Sequence, residues 1–354
     1  VMILTFLMKN KLAIFSDIHL GIHQNSPFWI DTALIWAKWY VSELDKQNID
    51  NIIFCGDFFH YRDEVSLLSL DAARKILDIF KNKKIFMITG NHDCYYKETS
   101  EINSLSIFSG RENITVIENI LTLNLNGKIV TFCPWGTKIS DIPQSDIVFG
   151  HFELQNFRMN GFKICESGDS PEELLKKTPL VFSGHFHLKD EKEFNGNKIV
   201  YVGNPFEMDF GDSYQQKGYY ILDLEDSSYF FTENTITSKH IKIFLSKLIT
   251  LQDIEKIFTS IIPNNIIKLI VDKNISTEHL DALIAFITGF KPCEISTDYD
   301  VNYNKLKVDN DSNIDLSEVV IEQAIEEFIN LLDISNKKEV IEYTNNLYSR
   351  SKII

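Results

Sequence analysis

Residues 181–190 read VFSGHFHLKD, a short β-branched and aromatic run that ends in a glycine and two histidines. Val181–Ser183 has the composition of a strand. Alternate residues of a strand face the same way, so His185 and His187 could aim at one point. By itself a pair of this kind fits a surface loop equally well. It gains meaning only if other strands end alike and in the same place.

Working outward, four more strands do. Leu12–Ser16 runs into DIHLG, with Asp17 and His19; Asn51–Cys55 runs into GD, with Asp57. Lys84–Thr89 runs into GNHD, with Asn91 and His92; Ile147–Phe149 runs into GH, with His151. Asp31–Gln47 and Leu67–Lys81 carry helical periodicity between the first strands. Later the texture changes to hairpins, with Asn126-Gly127 and Asn195-Gly196 as turns and GYYILDLEDSSYFFTEN (218–234) as the last. The expected fold class is α/β: an α/β half joined to an antiparallel half, packed as a two-sheet sandwich flanked by helices. Ligands of such sheets bind in the crevice beyond the carboxyl strand ends. That crevice would gather Asp17, Asp57, Asn91 and the histidines His19, His92, His151, His185 and His187. The recurrence, more than any one motif, marks a site.

Mixed carboxylate, amide and imidazole donors suit manganese, iron or zinc better than calcium or a thiolate-held structural zinc. There are enough of them for two ions, with Asp57 the natural bridge. Such a pair acidifies a shared water and clamps a phosphate for in-line attack. His92 lies between Asn91 and Asp93. A carboxylate beside an imidazole favours its protonated form, so His92 reads as a general acid for the leaving oxygen and not as a ligand.

The chain of 354 residues is long enough for about two domains, with ordinary apolar (44%) and charged (24%) content. A net charge of −15 argues against a protein that coats nucleic acid through broad basic surface. It leaves room for an enzyme that meets DNA through metals and a local patch. Five scattered cysteines, an odd number with no CxxC, fit a reducing, cytoplasmic setting. No apolar stretch is long enough to span a bilayer. Residues 1–7 (VMILTFL) are expected to be an upstream extension outside the fold, and residues 8–241 the main domain. Residues 242–300 are expected to form a small α/β domain, opening with a helix capped by Thr250. A polar linker at 301–316 then leads to an amphipathic helix pair at 317–354. In that pair Ile321, Ile325, Phe328 and Leu332 share one face.

In this order and at these separations, DIHLG, GDFFH, GNHD, GHFEL and GHFH resemble the calcineurin-like metallophosphoesterase superfamily. Within it the chain is similar to the SbcD-type nucleases of MRN and SbcCD repair complexes, in the compact form carried by large phages. The likeness runs from Met8 through YVGNPFEMDFGD (201–212) to the terminal helices. It implies one metal on Asp17, His19, Asp57 and His187, and a second on Asp57, Asn91, His151 and His185. It further implies two divalent ions, manganese by preference, with His92 as the acid and His60 positioning the phosphate. The activity implied is DNA exonuclease and single-strand endonuclease. The implied partners are DNA, an SMC-like coiled-coil ATPase of the Rad/SbcC type docked by the tail, and a second copy of the chain. The small domain would cap the site and meet DNA. Rival functions are weaker. A protein phosphatase would show GDxVDRG and GNHE, a small-molecule or cyclic-nucleotide phosphodiesterase would lack the second domain, and a dead scaffold would have lost ligands. His23, His240 and His279 receive no role.

Overall fold

The computed structural model describes residues 4–6, 8–159, 163–248, 257–273, 275–299, 337–338 and 340–342. One sheet has the order β1 (Leu4–Phe6), β6 (Leu121–Leu125), β7 (Lys128–Cys133), β8 (Ile147–His151), β9 (Leu180–Gly184), β11 (Asn197–Tyr201), β10 (Asp190–Phe194). The other runs β13 (Tyr229–Glu233), β12 (Gly218–Asp223), β2 (Lys11–Phe15), β3 (Asn51–Phe54), β4 (Lys84–Ile88), β5 (Ile114–Ile117).

Alternation along each strand builds three layers of core. Leu12, Ile14 and Ile53 face inward against Ile147, Phe149, Phe182 and Val200 of the opposite sheet. Ala13, Phe15, Ile52 and Phe54 face outward, under the helices Pro27–Lys46 and Leu67–Ile79. Trp36, Ala37, Tyr40 and Leu44 of the first helix, and Ala72, Ala73 and Ile76 of the second, fill that layer. On the far side Val148, Val181, Ile199 and Tyr201 pack with Phe152, Leu174 and Phe186. The first helix starts four residues before the expected Asp31, at Pro27, whose fixed φ suits a first helical position. Ser66 caps the second by accepting the Ser69 amide.

Three expectations need correction. The expected antiparallel half is not antiparallel at its centre: in the seven-stranded sheet β7, β8, β9 and β11 are all parallel. Strands such as IVF and LVF are buried on both faces, which parallel pairing requires. Hairpins flank that centre, and both turn at the expected Asn-Gly pairs, with positive φ at Asn126, Gly127, Asn195 and Gly196. Residues 1–7 are not wholly outside the fold, because Leu4–Phe6 pairs in parallel with β6, which otherwise has an open edge. The small domain does not begin at 242. Its sheet is the parallel trio β14 (His240–Phe244), β15 (Ile266–Val271) and β16 (Glu294–Tyr299), with the helix Thr277–Thr288.

Residues 1–300 form one unit and 301–354 another, so the small sheet belongs with the sandwich. His240 shows why: Trp29 stacks on its ring at 5.6 Å and Glu207 accepts from its main-chain amide. Thr250 and residues 251–256 of the helix it was expected to cap, the linker 301–316 and the face Ile321–Leu332 lie outside the described residues, while Ile257–Ile261 of that helix forms a single π-helical turn. Among the described residues no helix is long and apolar enough to cross a membrane.

Candidate metal centre

All five signature strands, β2, β3, β4, β8 and β9, deliver their carboxyl ends to one place. The loops after β2 and β3 stay paired beyond the sheet, through Asp17 N–H to Gly56 C=O (2.9 Å) and His19 N–H to Asp57 C=O (3.1 Å). Asp17, His19, Asp57 and His185 all have positive φ, uncommon for non-glycine residues. Sharp reversals at the strand ends aim these side chains back over the sheet, and such strain clusters at functional sites. Gly90 is required by close approach, since a Cβ there would collide with the Asp57 amide and carboxylate.

Two donor groups share Asp57. Its Oδ2 lies 3.5 Å from His19 Nε2 and 3.4 Å from His151 Nε2. On the His19 side, His187 Nε2 is 3.0 Å from His19 Nε2, and Asp17 Oδ1 is 4.0 Å from it. On the His151 side, Asn91 Oδ1 is 2.9 Å from His151 Nε2 and 2.8 Å from His185 Nδ1. The structure thus brings together the residues that the resemblance names, with Asp17, His19 and His187 on one side of Asp57 and Asn91, His151 and His185 on the other. Converging imidazole nitrogens and carboxylate and amide oxygens are the donors a divalent cation takes, so the residues fit the expected ions.

Outer contacts fix the donors' orientation. His151 Nδ1–H donates to the Cys55 carbonyl (2.7 Å), which turns Nε2 toward Asp57 and Asn91. His185 Nε2 faces Glu153 Oε2 at 3.8 Å. Asp57 Oδ1 accepts the His92 amide (2.8 Å), and Oδ2 is the oxygen that faces both His19 and His151. Burial opposes the Asp57 charge, but His151 and His19 hold its carboxylate well below the usual range. Burial would equally lower His151, yet Asp57 raises it to about 9. Burial pushes Asp17 up to about 7 and lowers His185 to about 3, and it holds His19 well below its usual value.

His92 stands apart from the ligand sets. Its Nδ1–H donates to the His60 carbonyl (2.6 Å), leaving Nε2 for a substrate atom. His60 stacks on it at 5.5 Å and approaches His19 through Nδ1 (3.4 Å). His19, His60 and His92 also cluster closely enough to hold an ion. That trio has no carboxylate, and His19 Nε2 already faces His187, so we assign it no metal.

One expectation about His92 was wrong. Asp93 is not a partner of its ring: the buried Asp93 carboxylate accepts the amides of Asp57, Phe58, Phe59 and Gly90, bracing the turn that carries Asp57. Sequence reasoning also missed Glu153 and Trp135. Glu153 was legible in GHFEL, two residues past His151. Trp135 carried no signal; its ring lies 5.1 Å from His185, pinned by its N–H to the Lys97 carbonyl (2.7 Å).

A two-sheet sandwich with acidic and imidazole donors gathered at one set of strand ends defines the class, a metal-dependent phosphoesterase. Residues 11–189 match the calcineurin-like phosphoesterase family, and the chain belongs to it. It is similar to "Exonuclease subunit 1" of Enterobacteria phage T4, 26% identical over 96% of this chain and 98% of that one. Among solved structures it is similar to a dimetal phosphatase from Danio rerio (10% identity, 60% of this chain and 92% of that one, TM-score 0.38). The "Putative 5'-Nucleotidase from Staphylococcus aureus" is similar at 14% identity and TM-score 0.36. That likeness covers 63% of this chain and about half (52%) of the nucleotidase.

Proposed function

We propose that this phosphoesterase is a DNA nuclease, using two divalent cations, manganese by preference, in a complex with an SMC-like coiled-coil ATPase. One observation carries the reading. The likeness to the phage exonuclease subunit spans 96% of the chain, well past residue 189 where the family match ends. It therefore includes the small sheet, which a phosphoesterase core by itself does not need. A homodimer belongs to the same proposal, with Leu67, Leu68 and Ile35, exposed by 84%, 56% and 51% on the paired outer helices, as its candidate contact residues.

The surroundings of the site suit a polymer. Beside His151 opens a groove of about 1000 Å³, lined by Lys97, Lys138, Lys176 and Lys177 and by Trp135. Glu98, Glu153, Asp169 and Glu173 also line it, and Glu173 is paired with Lys176. With cationic and acidic groups so balanced, holding a strand falls more to base stacking on Trp135 than to charge.

Asp17, His19, Asp57 and His187 would hold one cation and Asp57, Asn91, His151 and His185 the other. Bound there, divalent cations supply Lewis acidity, acidifying the attacking water and offsetting phosphate charge. The protein's own groups do the rest. His92, locked through Nδ1, presents Nε2 to the leaving oxygen and donates its proton. His60, stacked on His92, helps keep that imidazole in place and lines the approach of the phosphate. Asp57, kept ionised, holds both ligand sets in register.

The test is a parallel assay of the full chain with manganese. Labelled single- and double-stranded DNA, a cyclic nucleotide and a phosphopeptide are offered at equal concentration. Cleavage of DNA well above the other two supports the nuclease reading. Turnover of the cyclic nucleotide or phosphopeptide with intact DNA would overturn it.

A further inference from the structure

The segment Gly203–Lys217, between β11 and β12, contributes none of the expected ligands. It does contain a buried ion pair. Lys217 and Asp212 are 4% and 5% exposed and meet at 2.6 Å. The Lys217 ammonium donates three times: to Asp212 Oδ1, to Asn204 Oδ1 and to the main-chain carbonyl of His187 (2.8 Å). An ammonium has three protons, so its donor capacity is spent. Asp212 Oδ2 accepts from Asn204 Nδ2 (2.9 Å) and from the Met208 amide (2.9 Å). Asn204 sends its own amide to the same His187 carbonyl (3.2 Å). Gly203, with φ of 75°, presses directly on the backbone of 187–189, where a Cβ would lie 2.9 Å from Lys189 N.

Stability does not explain this arrangement. Desolvating two charges costs several kcal/mol per ion, and a well-packed apolar pair of similar volume often does as well or better. An apolar side chain cannot, however, grip a carbonyl oxygen, and the carbonyl gripped here belongs to His187.

We infer that Lys217, aligned by Asp212 and Asn204, is a positioning residue for His187. By clamping that carbonyl it fixes the loop after β9, so that His187 Nε2 meets His19 Nε2 at 3.0 Å. The inference rests on reading His187 as a ligand. Loss of such outer-shell partners weakens metal binding by about 10–100-fold.

The experiment is manganese titration calorimetry on the full chain, with thermal melting in chelator as the measure of folding. The main variant, Asp212→Asn with Lys217→Met, leaves no unpaired buried charge. Asn204→Ala is a milder second variant that keeps the ion pair. Wild type should bind two ions. The double variant should bind one of them about 10–100-fold more weakly and the other as wild type does. Asn204→Ala should lose less, at the same site. In a His187→Ala background the double substitution should change nothing further, because the residue it positions is gone. Unchanged affinity at both sites in folded variants, or equal weakening of both, overturns the inference. If the double variant melts in chelator before titration, Asn204→Ala decides by the same criteria. Wild type binding fewer than two ions would overturn the ligand assignment itself, and the inference with it. None of these readouts uses DNA, so failure of the nuclease reading shows separately.

Discussion

Asp57 sits where both ligand sets meet, with Oδ2 between His19 and His151 and Oδ1 committed to the His92 amide. Asp57→Ala should therefore strip both ions, whereas His187→Ala should chiefly weaken one. Elemental analysis of the purified variants measures this, and full occupancy in active Asp57→Ala would sink the two-metal assignment. His92 is held through Nδ1 by a carbonyl and belongs to neither set. His92→Asn should keep metal and DNA binding while slowing turnover by about 10²–10⁴, the usual loss of a general acid. Metal content falling in step with rate would make His92 a ligand instead.

At the level of elements, the site is built from the turns that follow strands. The β3 and β4 turns are locked together by Asp93, which accepts four amides from them, and by the close approach of Gly90 to Asp57. Gly90→Ala should displace the Asp57 carboxylate and destabilise the fold by about 1–3 kcal/mol, the range for an overpacked core. Urea melts in chelator measure the stability, and manganese titration the displacement. A variant as stable as wild type with both sites intact would show that these turns yield easily.

At the level of the molecule, two surfaces bear on assembly. The exposed Leu67, Leu68 and Ile35 lie on the outer helices. Leu67→Glu should convert a dimer to a monomer in light scattering while its melting temperature stays near wild type. A wild-type protein that is monomeric at micromolar concentration would remove the dimer from the proposal. The segment 317–354 follows the last residue of the small sheet and carries no proposed ligand. Its deletion should leave a folded, manganese-dependent nuclease that no longer co-purifies with the ATPase. Phe328→Asp should approach the same effect, since one buried charge disrupts an apolar contact. Retained binding by either protein would show that the segment does not dock the partner.

The sequence by itself determined which residues could meet. A period-two apolar pattern, glycines after strands and five polar endings together named Asp17, His19, Asp57, Asn91, His92, His151, His185 and His187, and the structure gathers all of them. Asn-Gly turns were equally legible, because few other pairs accept positive φ twice. Local patterns say nothing of which strand lies beside which, so the parallel centre of the seven-stranded sheet and the pairing of Leu4–Phe6 emerged only in the fold. The same limit hid the outer contacts. Asp93 looked like a partner for its neighbour His92, but the backbone turns its carboxylate toward Phe58 and Phe59 instead. Nothing near Lys217 in the chain points to His187, thirty residues before it. Periodicity encodes which face a side chain takes, while its hydrogen-bond partners depend on where distant segments cross, and only tertiary packing decides that.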